Sequence, residues 1–355
     1  MNRKTIGIVG GGQLARMLSI AAARLGFNVV ILDPNDDCPA KQVSNQQLIA
    51  KYDDIKALNT FAKLCDYITY ESENIPVKSI SYLSTLCSVH PSSEAIKIAQ
   101  DRLYEKRFFQ DYGLATADFY EINSQESLVK IIKEVKGKGI LKTRRMGYDG
   151  KGQRIFNDND STDNLYDSID NTPLIFERFI KFNREISIIA ARAVDGSVCF
   201  YDPVENKHID GILNQSIVPA NISKKTANFA RSATEKILNV LNYIGVLCIE
   251  FFVMDDETVI VNEMAPRVHN SGHWTEAACT ISQFEQHIRS IAHLPLRKPY
   301  RHSNCVMQNL IGFEINQLDQ WLNSNESFIH IYGKSKVIPG RKMGHVTKIY
   351  PKDLP

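Results

Sequence analysis

Apolar residues come in short unbroken runs, separated by glycines or acidic turns and by stretches of helical period. Thr5–Val9 is such a run; Gly10-Gly11-Gly12 closes it, Gln13–Leu25 follows with helical periodicity up to Gly26, and Asn28–Leu32 is a second run ending at Asp33. Strand, helix and strand in that order predict a βαβ beginning. Asp66–Tyr70 reads as another strand, with Glu71–Pro76 as the loop leaving its C-terminal end, and Asp101–Tyr112 as a helix carrying Arg102 and Lys106 and closed by Gly113. A β-rich stretch is expected after it, through a glycine-rich segment. Leu174–Phe179 and Glu185–Ala193 read as neighbouring strands, and Asp195-Gly196 turns the second into Val198–Tyr201. Lys225–Leu241 has the pattern of an amphipathic helix, and Val246–Met254 with Thr258–Asn262 predicts a hairpin around Asp255-Asp256-Glu257. A last segment begins near Pro295. No repeat or low-complexity linker interrupts this order, which suits one compact chain of several parts.

Composition narrows the class. The 355 residues are 43% hydrophobic and 23% charged, an ordinary globular balance in a chain long enough for two or three subdomains. A formal net charge of +2 gives no bulk attraction to nucleic acid. The seven cysteines form no C-x-x-C pair and no zinc-spaced cluster with histidine, as expected of reduced thiols in a cytoplasmic protein. Arg3 and Lys4 lead directly into the first strand with no signal-peptide pattern, and no apolar run approaches the roughly 20 residues of a membrane span. A soluble protein with no membrane partner is the expectation.

Gly147-Tyr148-Asp149-Gly150-Lys151-Gly152 lies between the apolar runs Gly139–Thr143 and Gln153–Phe156. Glycines let a backbone approach phosphate oxygens, and exposed amides and lysines meet their charge. The spacing is not that of a Walker A loop, which leads into a helix. Glycines alone would make only a hairpin; Lys142, Arg144, Arg145 and Lys151 tip the segment towards an anion-binding flap. Gly10-x-Gly12-x-x-Ala15 with Asp33 approaches a dinucleotide fingerprint, but nothing downstream supplies hydride chemistry, so the loop is assigned to substrate binding.

If the hairpin loop is Asp256-Glu257, Glu250 and Glu263 face each other across the strands. Facing carboxylates need a compensating charge, and Mg²⁺ on nucleotide phosphates supplies one, with Asn262 as a neutral oxygen donor. Glu250 interrupts an otherwise apolar strand, which favours ligation over a solvated acidic surface. Ala265–Trp274 follows closely, dense in hydrogen-bonding groups. Its Arg267 offers a fork for bicarbonate, carboxylate or phosphate, while His269 and His273 read equally as acid–base groups or as bonded loop residues. Lys334, Arg341 and Lys342 form either a solvated basic face or a phosphate clamp.

Together these motifs form a recognisable set. Gly-Gly-Gly-Gln-Leu (10–14), Glu-x-Glu-Asn (71–74), Gln-Asp-Arg-Leu (100–103), Gly-Tyr-Asp-Gly-Lys-Gly-Gln (147–153), Asn-Glu-x-Ala-Pro-Arg-Val-His-Asn-Ser-Gly-His (262–273) and Gly-Arg-Lys-Met-Gly-His (340–345) resemble the N5-carboxyaminoimidazole ribonucleotide synthetases, an ATP-grasp family of purine synthesis. The resemblance runs from residue 6 to about 349. It implies an α/β chain with a Rossmann-like pre-ATP-grasp domain (1–99), an ATP-grasp domain (100–294) with its flap part near 115–180, and a small C-terminal domain (295–355), assembled as a homodimer. The implied reaction joins ATP, bicarbonate and 5-aminoimidazole ribonucleotide into N5-carboxyaminoimidazole ribonucleotide, ADP and phosphate.

By the same resemblance, Arg102, Lys142 and the flap residues Gly147, Tyr148, Asp149, Gly150, Lys151, Gly152 and Gln153 bind ATP phosphates. Glu177, Arg178, Phe179 and Ile180 hold the adenine, Glu185 the ribose, and His208 and Asn262 lie at the nucleotide. Glu250 and Glu263 hold Mg²⁺, with Mn²⁺ as a substitute. Gln13 and Glu73 meet the substrate, Asp149 its amine, and Lys334, Arg341 and Lys342 its phosphate; Arg267 orients bicarbonate and the carboxyphosphate made from it, so that Asp149, Arg267 and Lys342 form the catalytic group. The chain departs from the family at Met146, where two glycines usually precede the tyrosine, and at Ser72, where an aromatic usually stands. Met146 should stiffen the flap. The rivals are another carboxylate–amine ligase of the same fold, such as a formate-dependent transformylase or a biotin-carboxylase-like enzyme, and, in other classes, an NAD-dependent oxidoreductase or a nucleotide-binding regulator without turnover.

Overall fold

The computed structural model describes residues 3–352 apart from 148–149, 158, 167–168 and 170–172. Among the described residues the strands form three sheets. The first is parallel and holds β1 (Thr5–Val9), β2 (Asn28–Leu32), β3 (Gln46–Leu48), β4 (Tyr67–Tyr70) and β5 (Ser88–Val89), in the order β3-β2-β1-β4-β5. Its central strands are covered on both faces, by Leu14, Met17 and Leu18 of the helix Gln13–Arg24 on one side and by Leu58, Phe61, Ile80 and Leu83 on the other. Burial on both faces explains why these strands are unbroken apolar runs rather than alternating ones.

The second sheet is antiparallel: β6 (Phe119–Ile122), β7 (Gly139–Thr143), β8 (Gln153–Phe156) and β9 (Leu174–Arg178), in the order β6-β9-β7-β8. The stretch expected to be β-rich also contains a helix, Gln125–Val135, which buries Leu128 against Leu141, Phe156 and Phe176. Ser124 starts that helix through a reciprocal cap with Ser127: each hydroxyl accepts from the other residue's backbone N–H, at 3.2 and 3.0 Å.

The third sheet runs β15-β14-β10-β12-β13-β16-β18-β17, with β11 beside β10. Its strands are β10 (Arg184–Arg192), β11 (Val198–Phe200), β12 (Val204–Ile209), β13 (Ile212–Val218), β14 (Gly245–Val253), β15 (Val259–Ala265), β16 (Ser303–Ile311), β17 (Ser327–Ile331) and β18 (Lys342–Pro351). The C-terminal strands therefore continue the central sheet: β16 pairs with β13 from Gln215–Gln308 to Val218–Cys305. The helix Lys224–Val240 covers one face, and the helix Gln283–Ile291 fills the space between the other face and the first sheet. No helix among the described residues is long and apolar enough to cross a membrane.

His287 joins the two sheets. Its Nδ1 accepts from the Val246 backbone N–H at 3.0 Å, so the neutral ring carries its proton on Nε2, 2.8 Å from the Thr69 hydroxyl. Burial, assisted by His90, pushes its pKa down to about 3. The unfolded chain binds this proton below about 6.5 while the folded chain refuses it, so its contribution is complete at neutral pH and is lost as the pH falls from about 6.5 towards 3. His287→Gln should therefore flatten the pH dependence of stability in that window by up to about 1.4 kcal/mol per pH unit. Urea unfolding at pH 7, 6 and 5 checks this; a slope equal to that of the unsubstituted chain refutes it.

Candidate active site

Glu250 and Glu263 do face each other, by a route different from the expected one. The hairpin loop is not the two residues Asp256-Glu257: Met254 bonds to Thr258 at 2.9 Å around Asp255-Asp256-Glu257, and Glu257 takes φ +64. That turn alone would pair Glu250 with Asn262. A bulge at Asn262 shifts the ladder by one residue and restores Glu250 opposite Glu263. The bulge also frees the Asn262 carbonyl, which accepts from Lys106 Nζ at 2.7 Å.

Around this pair the helix Arg102–Asp111 presents one polar face, because Arg102 and Lys106 are four residues apart. Arg102 Nη1 meets Glu263 Oε2 at 3.0 Å, and its Nη2 reaches the Gly147 carbonyl at 3.4 Å. Lys106 and Lys142 converge on buried Glu177, at 3.4 and 3.0 Å. Burial alone would raise the Glu177 carboxyl, but the two lysines bring it down to about 2. Lys142 is lowered by its own burial, against the pull of Glu177. Burial and then repulsion from Glu263 push Glu250 up, whereas in Glu263 the effect of burial is outweighed by Arg102 and Lys142, which hold it down. Burial and Glu263 push Glu105 up to about 8, although it accepts from the Met264 N–H at 2.8 Å. The carboxylate charge of the pair thus rests mainly on Glu263. Oxygens from two facing strands, too close for both to ionise freely, suit a small hard cation.

The loop Arg267–His273 leaves β15 beside this pair. Arg267 grips Glu73 with Nε and Nη2, the latter at 2.8 Å, and donates Nη1 to the Val268 carbonyl at 3.1 Å. The fork expected for bicarbonate is therefore partly engaged with a residue expected to meet the substrate. Arg267 overrides the effect of burial on Glu73 and draws its carboxyl down to about 2. His269 accepts at Nδ1 from the Ser271 N–H at 3.3 Å, placing its proton on Nε2, 3.4 Å from Glu250. Burial and Arg267 keep this ring neutral. His208 Nδ1 contacts the Glu185 carboxylate across the β10–β12 pair, and this charge outweighs burial, which alone would lower the ring, and raises its pKa.

The glycine loop after β1 is occupied by the chain itself. Glu71 accepts from the N–H groups of Gly12 and Ala15 (the latter at 2.9 Å), and so fills the anion position at the helix N-terminus. Asp33 accepts from the Gly11 N–H at 2.7 Å and the Tyr52 hydroxyl at 2.8 Å. A side chain at Gly10 or Gly12 would strike Glu71. The two features that suggest a dinucleotide site are thus used internally, which removes the oxidoreductase reading. Gln13, next along, faces the cleft.

These groups line one cleft of about 850 Å³. It brings together Gln13, Glu73, Arg102, Lys142, Gly147, Gly150, Lys151, Gln153, Glu185, His208, Glu250, Asn262, Glu263, Arg267, Lys334, Arg341 and Lys342. Gly152 and the segment Glu177, Arg178, Phe179 and Ile180 are not among the lining residues; Arg178 turns instead towards Asp118, at 3.7 Å. Tyr148 and Asp149 lie outside the described residues. The basic connection between β17 and β18 reaches the cleft as Lys334 donates to the Lys342 carbonyl at 2.6 Å. Gly333 lies against Gln42 of the first domain, whose amide donates to the Gly333 carbonyl at 2.7 Å.

Two features of the flap stand out. Met146 is 68% exposed and holds φ +62, a left-handed conformation that costs an L-residue about 1–2 kcal/mol. Gly150 lies against the turn Asp210-Gly211, where a Cβ on Gly211 would come within 2.9 Å of the Gly150 Cα. Phe182 and Phe252, stacked at 4.6 Å on the cleft wall, and Glu105 belong to no motif legible in the sequence, and Glu71 enters there only within Glu-x-Glu-Asn (71–74). Phe252 carries a usable signal, being an aromatic two residues from Glu250 on the same face of one strand.

Profile comparisons match residues 3–100 to a ribonucleotide synthetase preATP-grasp domain, 107–284 to an ATP-grasp domain and 305–353 to a phosphoribosylaminoimidazole carboxylase C-terminal domain. An N5-carboxyaminoimidazole ribonucleotide synthase of Brucella melitensis is 51% identical over 352 residues, 99% of this chain and 97% of that protein. Among solved structures, the Staphylococcus aureus N5-carboxyaminoimidazole synthetase complexed with ADP superposes with a TM-score of 0.93 at 37% identity, covering 98% of this chain and 93% of that one. The Aspergillus clavatus N5-carboxyaminoimidazole synthase in complex with ADP and 5-aminoimidazole ribonucleotide superposes with a TM-score of 0.90 at 30% identity, covering 99% and 94%. With its glycine loop self-capped, its carboxylate pair set opposite by a bulge and its three domains matched in order, the chain belongs to the N5-carboxyaminoimidazole ribonucleotide synthase family of ATP-grasp ligases.

Proposed function

We propose that this chain uses ATP and bicarbonate to carboxylate the exocyclic amine of 5-aminoimidazole ribonucleotide, giving N5-carboxyaminoimidazole ribonucleotide, ADP and phosphate. The observation that carries the reading is the cleft in which Glu250 and Glu263 face each other beside Arg102 and Lys142, with Lys334, Arg341 and Lys342 on the wall contributed by the C-terminal strands. One side suits nucleotide phosphates and a divalent cation; the other suits a ribonucleotide phosphate.

Bicarbonate is a weak electrophile. Phosphoryl transfer from ATP makes it carboxyphosphate, a mixed anhydride, and the amine then takes the carboxyl group and releases phosphate. The transferred phosphoryl needs charge neutralisation and alignment more than covalent help. Arg102 and Lys142 supply fixed positive charge, and Glu177 between Lys106 and Lys142 holds the lysines in place. Glu250 and Glu263 would hold Mg²⁺, or Mn²⁺ in its place, which when bound neutralises charge on the nucleotide phosphates. The stacked Phe182 and Phe252 give an apolar wall for a base. Arg267, oriented by Glu73, offers its remaining N–H donors to bicarbonate and carboxyphosphate. By the family resemblance Gln13 and Glu73 serve the ribonucleotide, Lys342 its phosphate, and Asp149 its amine. Flap closure keeps water from the anhydride. The family resemblance extends this proposal to a homodimer.

ADP release should require bicarbonate and 5-aminoimidazole ribonucleotide together; equal release with formate and glycinamide ribonucleotide would overturn the assignment. In the same assay Glu250→Gln should raise the Mg²⁺ needed for half-maximal rate by roughly tenfold or more. Asp149→Asn should keep cleaving ATP while product formation falls behind; coupled turnover at the normal rate would remove Asp149 from the mechanism.

Met146→Gly should relieve the left-handed strain at the flap's base. Stopped-flow measurement of flap closure on ATP should show a rate increase of up to about tenfold, the kinetic equivalent of roughly 1.4 kcal/mol. An unchanged or slower closure would show that Met146 does not limit the flap.

A further inference from the structure

His345 ends the basic motif 340–345, yet the nucleotide cleft makes no use of its imidazole. Its ring is 2% exposed and sits on β18 directly opposite His330 of β17; the two rings stack 5.4 Å apart at 23°. Glu276, on the short helical turn Thr275–Ala278, projects its carboxylate to both. Its Oε2 lies 3.0 Å from His330 Nδ1 and 3.9 Å from His345 Nε2, the second separation being outside hydrogen-bond reach. One donor atom from each of the three residues lies within 4.8 Å of the others.

We propose that Glu276, His330 and His345 form a binding site for a divalent transition-metal ion, Zn²⁺ foremost, separate from the carboxylate pair of the nucleotide cleft. Two imidazole nitrogens and one carboxylate oxygen are a donor set that zinc favours, with a fourth position open to water. At bond lengths of about 2.0–2.2 Å, tetrahedral donors stand about 3.3–3.6 Å apart, so from a spacing within 4.8 Å the ion would draw Glu276 and His330 inward onto His345. Those two side chains have the room, being 27% and 18% exposed, while His345 is anchored. The anchor has an outer partner as well. His345 Nδ1 is 3.0 Å from the buried Tyr332 hydroxyl, which fixes the ring so that Nε2 faces the cluster. Gly344 lets the strands come this close, since a Cβ there would meet the His330 carbonyl at 2.7 Å.

Such an ion would tie the loop that carries Arg267 and His273 to β17 and β18, whose connection carries Lys334 and whose second strand begins at Lys342. His273 lies 4.9 Å from the His345 ring and lines the cleft, as Tyr332 does. The site would brace the phosphate end of the cleft from behind.

The test uses the full chain, stripped of metal by chelation and free of nucleotide and Mg²⁺, titrated with Co²⁺ as a spectroscopic stand-in for Zn²⁺. The expected result is a visible absorption band of tetrahedral Co²⁺ that saturates at one equivalent and is displaced by Zn²⁺. Glu276→Gln and His330→Gln should each lose the band and weaken Zn²⁺ binding by at least roughly tenfold, while Tyr332→Phe weakens it roughly tenfold and retains the band. Circular dichroism of the metal-free variants checks that they fold, and His330, at the sheet edge, tolerates exchange best. Glu250→Gln should keep the band. A band that persists in His330→Gln and Glu276→Gln, one that vanishes only in Glu250→Gln, or no stoichiometric band at all would each overturn the proposal.

Discussion

The repulsion between Glu250 and Glu263 is the constraint around which the cleft is built. Two carboxylates opposite each other on paired strands are unstable unless cations answer them. Arg102 answers Glu263 directly, at 3.0 Å, and the charges of Lys142 and Lys106, which are themselves paired with Glu177, add to it from farther off. The helix Arg102–Asp111 is fixed in turn by the Asn262 carbonyl that the bulge releases to Lys106. One extra residue in β15 thereby sets both the facing carboxylates and the helix that compensates them. What remains after compensation is a cleft with fixed positive charge beside a carboxylate pair whose repulsion is only partly answered by the protein.

At the other end, acidic residues are spent on the protein's own backbone and side chains. Glu71 caps the first helix and Glu73 holds Arg267, so the adjacent acids of one loop do unlike work two residues apart. The bend at Glu71 and the turn at Glu73-Asn74 send the two side chains apart, one towards the helix terminus and one towards Arg267. Asp33, pinned by Gly11 and Tyr52, closes the same loop from below. A glycine-rich turn after a strand therefore marks only a close approach of backbone to carboxylate here, and the carboxylate is the chain's own.

Local order was legible in the sequence where a single element decides it. The strands β1, β2 and β4, the helix Lys224–Val240 and the hairpin followed from periodicity, because burial of one segment leaves its period in that segment. The facing of Glu250 and Glu263 was legible too, although two offsetting departures, a longer loop and a bulge, produce it. Long-range pairings left no such trace. Nothing local in Gln215–Val218 says that Cys305–Gln308 lies beside it, so the continuity of the C-terminal strands with the central sheet appears only in three dimensions. The engagement of Arg267 with Glu73, 194 residues apart, was hidden for the same reason. The helix Gln125–Val135 leaves an ambiguous trace, because Ser124 and Ser127, which carry its start signal, read equally well as turn formers.

Continuity of the central sheet also determines which parts of the molecule share a core. Strands β10 to β18 share ladders from Glu263 at one edge to His330 at the other, so the carboxylate pair and the basic wall belong to one rigid body. The four-stranded flap sheet has its own apolar core of Ile122, Leu128, Leu141, Phe156 and Phe176. Its link to the body near the flap is by charge instead: Arg144 grips Asp101 at 3.0 and 2.9 Å, and the Arg102 N–H meets the Arg144 carbonyl at 2.9 Å. Polar links break and re-form in water at small net cost, whereas separating a shared apolar core does not come cheaply. A sheet with a private core and polar hinges can swing as a unit, carrying Gly150 to and from the Asp210-Gly211 turn. Met146, strained where the flap sheet joins the body, also lines the cleft, so a change in backbone preference there acts on the junction without removing any of the cleft's charged groups.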